Sequence, residues 1–189
     1  MTPAFAVWLT GLPGSGKSTI TRALTRELST RGIDVAVLES DVLRQVLTPR
    51  ATYSEEERDT FYRATAHIGA LLVNHGVPVI FDATANRRAY RAHARNAIDR
   101  FVEVHVECPL DVCMARDPKG IYRQAQSGAA TTVPGVQASY EPPTHPDLVV
   151  SGDRVCPESA ASAIVRMLED KGHVVGRRGA GKNSGPLSG

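Results

Sequence analysis

The feature that most narrows the fold is the octet Gly11-Leu12-Pro13-Gly14-Ser15-Gly16-Lys17-Ser18, set between the apolar run 6–9 and a helix-forming stretch that opens at Lys17. It fits G-x-x-x-x-G-K-[ST], the phosphate-binding loop. Glycines let the backbone turn tightly and bring its N–H groups against phosphate oxygens. A helix that begins there adds free N–H groups and the positive end of its dipole. On this reading Gly11, Leu12, Pro13, Gly14, Ser15, Gly16, Lys17, Ser18 and Thr19 cradle ATP. Lys17 reaches the β- and γ-phosphates, and the Ser18 hydroxyl binds Mg²⁺. A second stretch, Gly179-Ala180-Gly181-Lys182, lacks the full spacing and a preceding strand, and reads as linker.

The rest of the chain repeats the strand-then-helix unit. Short apolar runs at 6–9, 35–38, 77–81, 102–106 and 148–150 alternate with helical stretches near 17–30, 55–74, 88–100, 110–115 and 159–169. This alternation predicts crossover units and an α/β domain of the P-loop NTPase fold: a parallel five-stranded sheet with helices on both faces. The strands are apolar throughout, as suits strands covered on both sides. Residues 1–171 form the expected kinase domain. Within it, 117–146 is too long and too rich in Gly, Pro, Ala and Thr for a plain connection, so a lid loop is expected there. The Gly- and Ser-rich residues 172–189 are expected to be a flexible tail.

Composition removes several classes of function. At 189 residues and 42% hydrophobic content, the chain suits one soluble domain with a real core. A net charge of +2 gives no clustered basic footprint, so no nucleic-acid partner is expected. No apolar run is long enough to span a bilayer, and the N-terminus has no cationic lead. Three cysteines, Cys108, Cys113 and Cys156, have no zinc or redox spacing and read as free thiols of a cytoplasmic protein. The histidines are scattered without ligand spacing. N-K-x-D, the base-reading motif of switch GTPases, is absent. A small phosphate-loop protein with a lid points to phosphoryl transfer onto a small acceptor, with the lid excluding water.

Four stretches together resemble the adenylylsulfate kinases: "WLTGLPGSGKSTI", "LESDVLRQVL", "FVEVHVECPLDVCMARDPKGIYRQAQSG" and "YEPP". The likeness runs from about residue 8 to residue 150. It implies an enzyme that moves the γ-phosphoryl of MgATP to the 3′-hydroxyl of adenosine 5′-phosphosulfate. The oligomeric state is left open, a homodimer being one possible assembly. By this resemblance Asp41 matches the second acid of the family's D-G-D and orients or deprotonates the acceptor hydroxyl. Arg44 matches an acceptor-binding arginine, and Arg58 and Arg63 match arginines that hold the phosphosulfate. Arg116 and Lys119 open the lid and close over the ATP phosphates; Lys119 and Tyr122 also face the acceptor. Lys17, Asp41, Arg116 and Lys119 form the implied catalytic set.

The departures gather on the acceptor side. Phe61-Tyr62-Arg63-Ala64 stands where the family reads N-I-R-R, and "FDATANRR" replaces I-S-P-Y-R. In "TTVPGVQ", Thr131 replaces a lysine and Val133 the aromatic that stacks on the acceptor's adenine. A lost stacking ring is worth about 1–3 kcal/mol. Phe61 is a candidate replacement ring. Asp82 ends the third strand facing the phosphate loop, where a carboxylate can hold Mg²⁺ or its waters. Asp-Ala-Thr-x-Asn also resembles other P-loop kinases, including polynucleotide 5′-kinases. Another small alcohol or a polynucleotide 5′ end is therefore the alternative acceptor, and a non-catalytic nucleotide sensor is a further one. Arg87, Arg88, Arg91 and Arg95 are expected to form a solvated basic face.

Overall fold

The computed structural model describes residues 4–176. Five strands, β1 (Ala6–Thr10), β2 (Ala36–Glu39), β3 (Val79–Asp82), β4 (Phe101–Glu107) and β5 (Leu148–Ser151), form one all-parallel sheet ordered β2-β3-β1-β4-β5. The helices are α1 (Lys17–Ser29), α2 (Ser40–Leu47), α3 (Glu55–Asn74), α4 (Arg88–Ala97), α5 (Leu110–Arg116), α6 (Ile121–Gln126) and α7 (Pro157–Asp170). The expected sheet is present. Two helices were not foreseen as elements of their own: α2, which follows β2 directly, and α6, inside the segment expected to be a lid loop.

Side-chain alternation in β1 explains why the sheet needs cover on both faces. Phe5, Val7 and Leu9 enter one core, with Leu24 and Leu28 of α1 and Ile164, Val165 and Leu168 of α7. Ala6 and Trp8 enter the other, with Phe61 and Ala66 of α3 and Tyr90 and Ala94 of α4. Trp8 is fully buried, stacks on Phe81 with ring centroids 4.5 Å apart, and donates its indole N–H to the Ala83 carbonyl at 3.1 Å.

A third, smaller core lies apart from the sheet. Cys108, Cys113, Tyr122, Ala125 and Val133 are buried together, with Leu12 of the phosphate loop packed against them. Residues 117–146 are thus a folded unit with its own apolar centre rather than an open loop. Gln137 stitches it: its Nε2 donates to the Ala130 carbonyl at 2.7 Å, and its Oε1 accepts from Val133 N–H at 3.1 Å.

Two further expectations change. The basic face of α4 is not wholly solvated. Arg91 is buried and pairs with the strand carboxylate Glu103 at 2.5 Å, while also donating to the carbonyls of Ala85 and Glu141. Arg95 joins the same carboxylate at 2.9 Å. A buried guanidinium held by one carboxylate and two carbonyls is a structural clamp. The expected tail begins too early as well. His173 stacks on Phe5 and Val174 is buried in the first core, so 172–174 belong to the domain. The tail beyond 176 lies outside the described residues.

Candidate active site

The chain leaves β1 toward β2, returns through β3, then crosses β1 to reach β4 and β5. Open α/β sheets take ligands at such a reversal, beyond the carboxyl ends of the strands. A cavity of about 1000 Å³ lies there, and segments following each of β1, β2, β3 and β5 line it.

The phosphate loop forms its floor. Pro13, Gly14, Gly16, Lys17, Ser18 and Thr19 line the cavity. Gly11, Leu12 and Ser15 lie behind it, Leu12 in the third core and Ser15 buried. Gly14 has φ 78°, and a Cβ there would stand 2.8 Å from the Cys113 carbonyl oxygen, so the turn requires glycine. Gly16 caps α1 with no side-chain hydrogen bond, which leaves the first helical N–H groups free for an anion. The Lys17 ammonium donates to the Gly11 and Leu12 carbonyls at 3.0 and 2.9 Å. Burial lowers its pKa from 10.5 to about 8, and the nearby Asp82 carboxylate partly opposes the fall. The Cys113 thiol beside the loop is pushed up to about 12 by burial and stays neutral, adding no anion to the cradle.

Asp82 is buried at the end of β3, opposite Leu9 in the β1 register, and lines the cavity together with Ser18. Both candidate Mg²⁺ groups therefore face one space. Among the described residues no three His, Cys, Asp or Glu side chains gather into a metal cage. Mg²⁺ carried in on phosphates takes only one or two protein oxygens, which Ser18 and Asp82 would supply.

The opposite wall comes from α2, α3 and the folded unit at 117–146. Asp41, in the first turn of α2, is exposed to the cavity and forms an ion pair with Lys119. Arg44 lies 3.9 Å above the Phe61 ring and pairs with Glu57 at 3.3 Å. Arg58 donates to the Tyr53 carbonyl at 3.0 Å and the Thr132 carbonyl at 2.8 Å. Arg116 reaches the Gly152 carbonyl at 2.8 Å. Arg44, Arg58, Arg116 and Lys119 all line the cavity.

Two expected substrate contacts do not. Arg63 points outward from α3 and pairs with Asp59 one helical turn away, because the face of α3 that meets the cavity carries Arg58 and Tyr62 instead. Tyr122 is buried and donates its hydroxyl to the Pro13 carbonyl at 2.9 Å, holding the loop rather than the acceptor. Phe61 is buried beneath Arg44 and offers no free face for stacking.

Tyr53 was missed and is the more informative ring. It is 43% exposed, lines the cavity, and has the Arg44 and Arg58 guanidinium groups at 4.9 and 5.3 Å from its centroid. Its φ of 56° is unusual for an aromatic residue and is held from three sides: Glu57 accepts from Tyr53 N–H, Arg58 binds its carbonyl, and Ser54 caps α3 through the Glu57 N–H. The Ser54-x-x-Glu57 capping box was the signal that could have placed it.

The match to known proteins follows these features. The family model for adenylylsulphate kinase matches residues 3–151. An adenylyl-sulfate kinase of Rippkaea orientalis is 39% identical over 89% of this chain and 93% of its own length. One from Halothermothrix orenii is 37% identical over 89% of this chain and 91% of its own. The structure of the Mycobacterium tuberculosis APS kinase in complex with AMPPNP and APS superposes with a TM-score of 0.84 at 34% identity, covering 89% of this chain and 99% of that one. With the octet, the sheet order and a match across most of its length, this chain belongs to the adenylylsulphate kinase family.

Proposed function

We propose that this protein phosphorylates the 3′-hydroxyl of adenosine 5′-phosphosulfate with ATP, as a cytoplasmic enzyme. One observation carries the reading: a single cavity is lined by the Lys17 cradle, by Arg44, Arg58 and Tyr53, and by Asp41. The two arginines suit a doubly anionic phosphosulfate, and Tyr53 provides the exposed ring that Val133 does not. An aromatic beside two cations suits a nucleotide acceptor better than a sugar, which leaves a ring and two charges unused.

Lys17 and the uncapped N–H groups of α1 hold the β- and γ-phosphates, and Arg116 approaches from the Gly152 side. Ser18 and Asp82 would hold Mg²⁺, which supplies charge neutralisation on the phosphates. Asp41 accepts the hydrogen bond of the acceptor hydroxyl and takes its proton as the phosphoryl group departs from ATP. Before that, its pairing with Lys119 holds the carboxylate in place on the cavity wall. When the acceptor hydroxyl displaces Lys119, that ammonium is free to meet the transferring phosphoryl group. An exposed, aimed carboxylate has no use in a protein that only senses nucleotide.

The test compares kcat/KM for adenosine 5′-phosphosulfate with that for a panel of small alcohols and 5′-hydroxyl polynucleotides. The expected result is 3′-phosphorylated product from adenosine 5′-phosphosulfate alone. Efficient turnover of another alcohol with none of adenosine 5′-phosphosulfate overturns the assignment. A homodimer is the expected assembly; a monomer mass at sedimentation equilibrium refutes it.

A further inference from the structure

Tyr122 stands at the centre of the third core, between the phosphate loop and the acceptor wall, and the reaction as derived above does not use it. Its ring is buried with Cys108, Cys113, Ala125 and Val133, and Leu12 packs into the same cluster. Its hydroxyl donates to the Pro13 carbonyl at 2.9 Å. Asp117 fixes the backbone on which Tyr122 sits, accepting from the Tyr122 and Arg123 N–H groups at 3.1 and 3.0 Å. On the far side of the cluster, Gly135 approaches Leu12 so closely that a Cβ would lie 2.7 Å from Leu12 Cδ2. Val133 leads directly to Thr132, whose carbonyl holds Arg58, and Arg58 in turn holds the Tyr53 backbone. Hydrogen bonds, one shared apolar cluster and one peptide bond thus connect the loop that cradles nucleotide to the ring and cation of the acceptor wall.

We infer that Tyr122 is a positioning residue: its hydroxyl and the cluster it shares with Leu12 and Val133 tie the phosphate loop to the acceptor wall, so that nucleotide binding strengthens acceptor binding. Nucleotide fixes the loop, the fixed loop fixes Leu12 and the Pro13 carbonyl, and these order the cluster that carries Thr132 to Arg58. By thermodynamic reciprocity the acceptor must tighten nucleotide by the same factor. The hydroxyl suits this role because burial holds its pKa well above the ordinary 10, so it remains a donor through the working pH range. Removing it leaves the partly buried Pro13 carbonyl without that donor while the ring still fills the core.

The acceptor arm of this inference rests on the proposed substrate; the nucleotide arm does not. The variant is Tyr122→Phe, with Leu12→Val severing the same path from the loop side should Tyr122→Phe not fold. Hydrogen exchange of residues 121–137 is measured with and without a non-hydrolysable ATP analogue and Mg²⁺. The wild type is expected to gain protection over 121–137, and Tyr122→Phe to lose at least about fivefold of that gain while still binding the analogue. Calorimetry with adenosine 5′-phosphosulfate then gives the ratio of acceptor affinities with and without analogue, which should fall toward one in the variant. Equal protection in variant and wild type overturns the inference, as does a wild type that gains none. If adenosine 5′-phosphosulfate fails to bind the wild type at all, the substrate reading falls and the exchange result still decides the role of Tyr122.

Discussion

Raising the pH through 8 in a nucleotide titration probes the electrostatics of the cradle directly. Lys17 is buried, and its pKa is lowered from 10.5 to about 8 chiefly by that burial. The difference corresponds to about 3 kcal/mol held against the ammonium form in the ligand-free fold. A base whose folded pKa is depressed costs stability below that pKa, and the cost disappears as pH rises toward the unfolded value. The ligand-free protein should therefore gain stability between pH 8 and 10.5 from this group. Nucleotide affinity must move the other way. Phosphates restore the ammonium, so above pH 8 binding requires Lys17 to take up a proton. Affinity should be flat below that point and then fall about tenfold per pH unit. Calorimetry in two buffers of different ionisation enthalpy counts the proton, with about one taken up per nucleotide at about pH 9. Lys17→Met should bind weakly and show no such step. An unchanged affinity and no proton uptake through about pH 9.5 would refute the argument that the cradle is desolvated.

Three further outcomes follow from the geometry. Asp41→Asn should lower kcat by at least about 10² with nucleotide affinity unchanged, since it removes only the proton acceptor; near-normal kcat in a single-turnover assay makes Asp41 merely part of the α2 first turn. Tyr53→Ala should raise KM for adenosine 5′-phosphosulfate by about 10- to 100-fold, with Tyr53→Phe close to wild type, because the ring face rather than the hydroxyl is used; steady-state kinetics in which Ala and Phe behave alike sinks that role. Arg91→Met should cost about 3–5 kcal/mol in chemical denaturation by leaving Glu103 buried without its closest partner, and a loss below about 1 kcal/mol contradicts the clamp.

Most of the architecture was legible because its signals are local. A short apolar run followed by a glycine loop and a helix-forming stretch reads as a buried strand feeding a helix. Strand bounds from the sequence fall within one or two residues of those observed. What escaped was short or relational. Both α2 and α6 are brief, and α6 begins after Gly120 in the left-handed region, so composition pointed to a loop. Ordering there comes from the third core, whose members are scattered from Leu12 to Val133 and show no period in sequence. Arg58 and Arg63 have the same chemistry on the same helix; only the direction each faces separates a cavity residue from a surface pair. Tyr122 carried the right motif with a different task, since a motif names a residue type and not what its hydroxyl meets. Arg91 looked like a surface charge because its partner, Glu103, lies inside a strand where a carboxylate is not expected.

Trp8 is the only tryptophan in the chain, and it stands one strand away from the chemistry. Its indole N–H holds the Ala83 carbonyl, the residue after Asp82, and its ring lies on Phe81 in the dry side of the sheet. The one indole is therefore shielded from solvent and hydrogen-bonded to the strand end that carries Asp82. Under excitation selective for indole, which passes over the five tyrosines, emission should be blue-shifted when folded and red-shifted when unfolded. Any ligand that moves Asp82 will be read by the same ring, without a label.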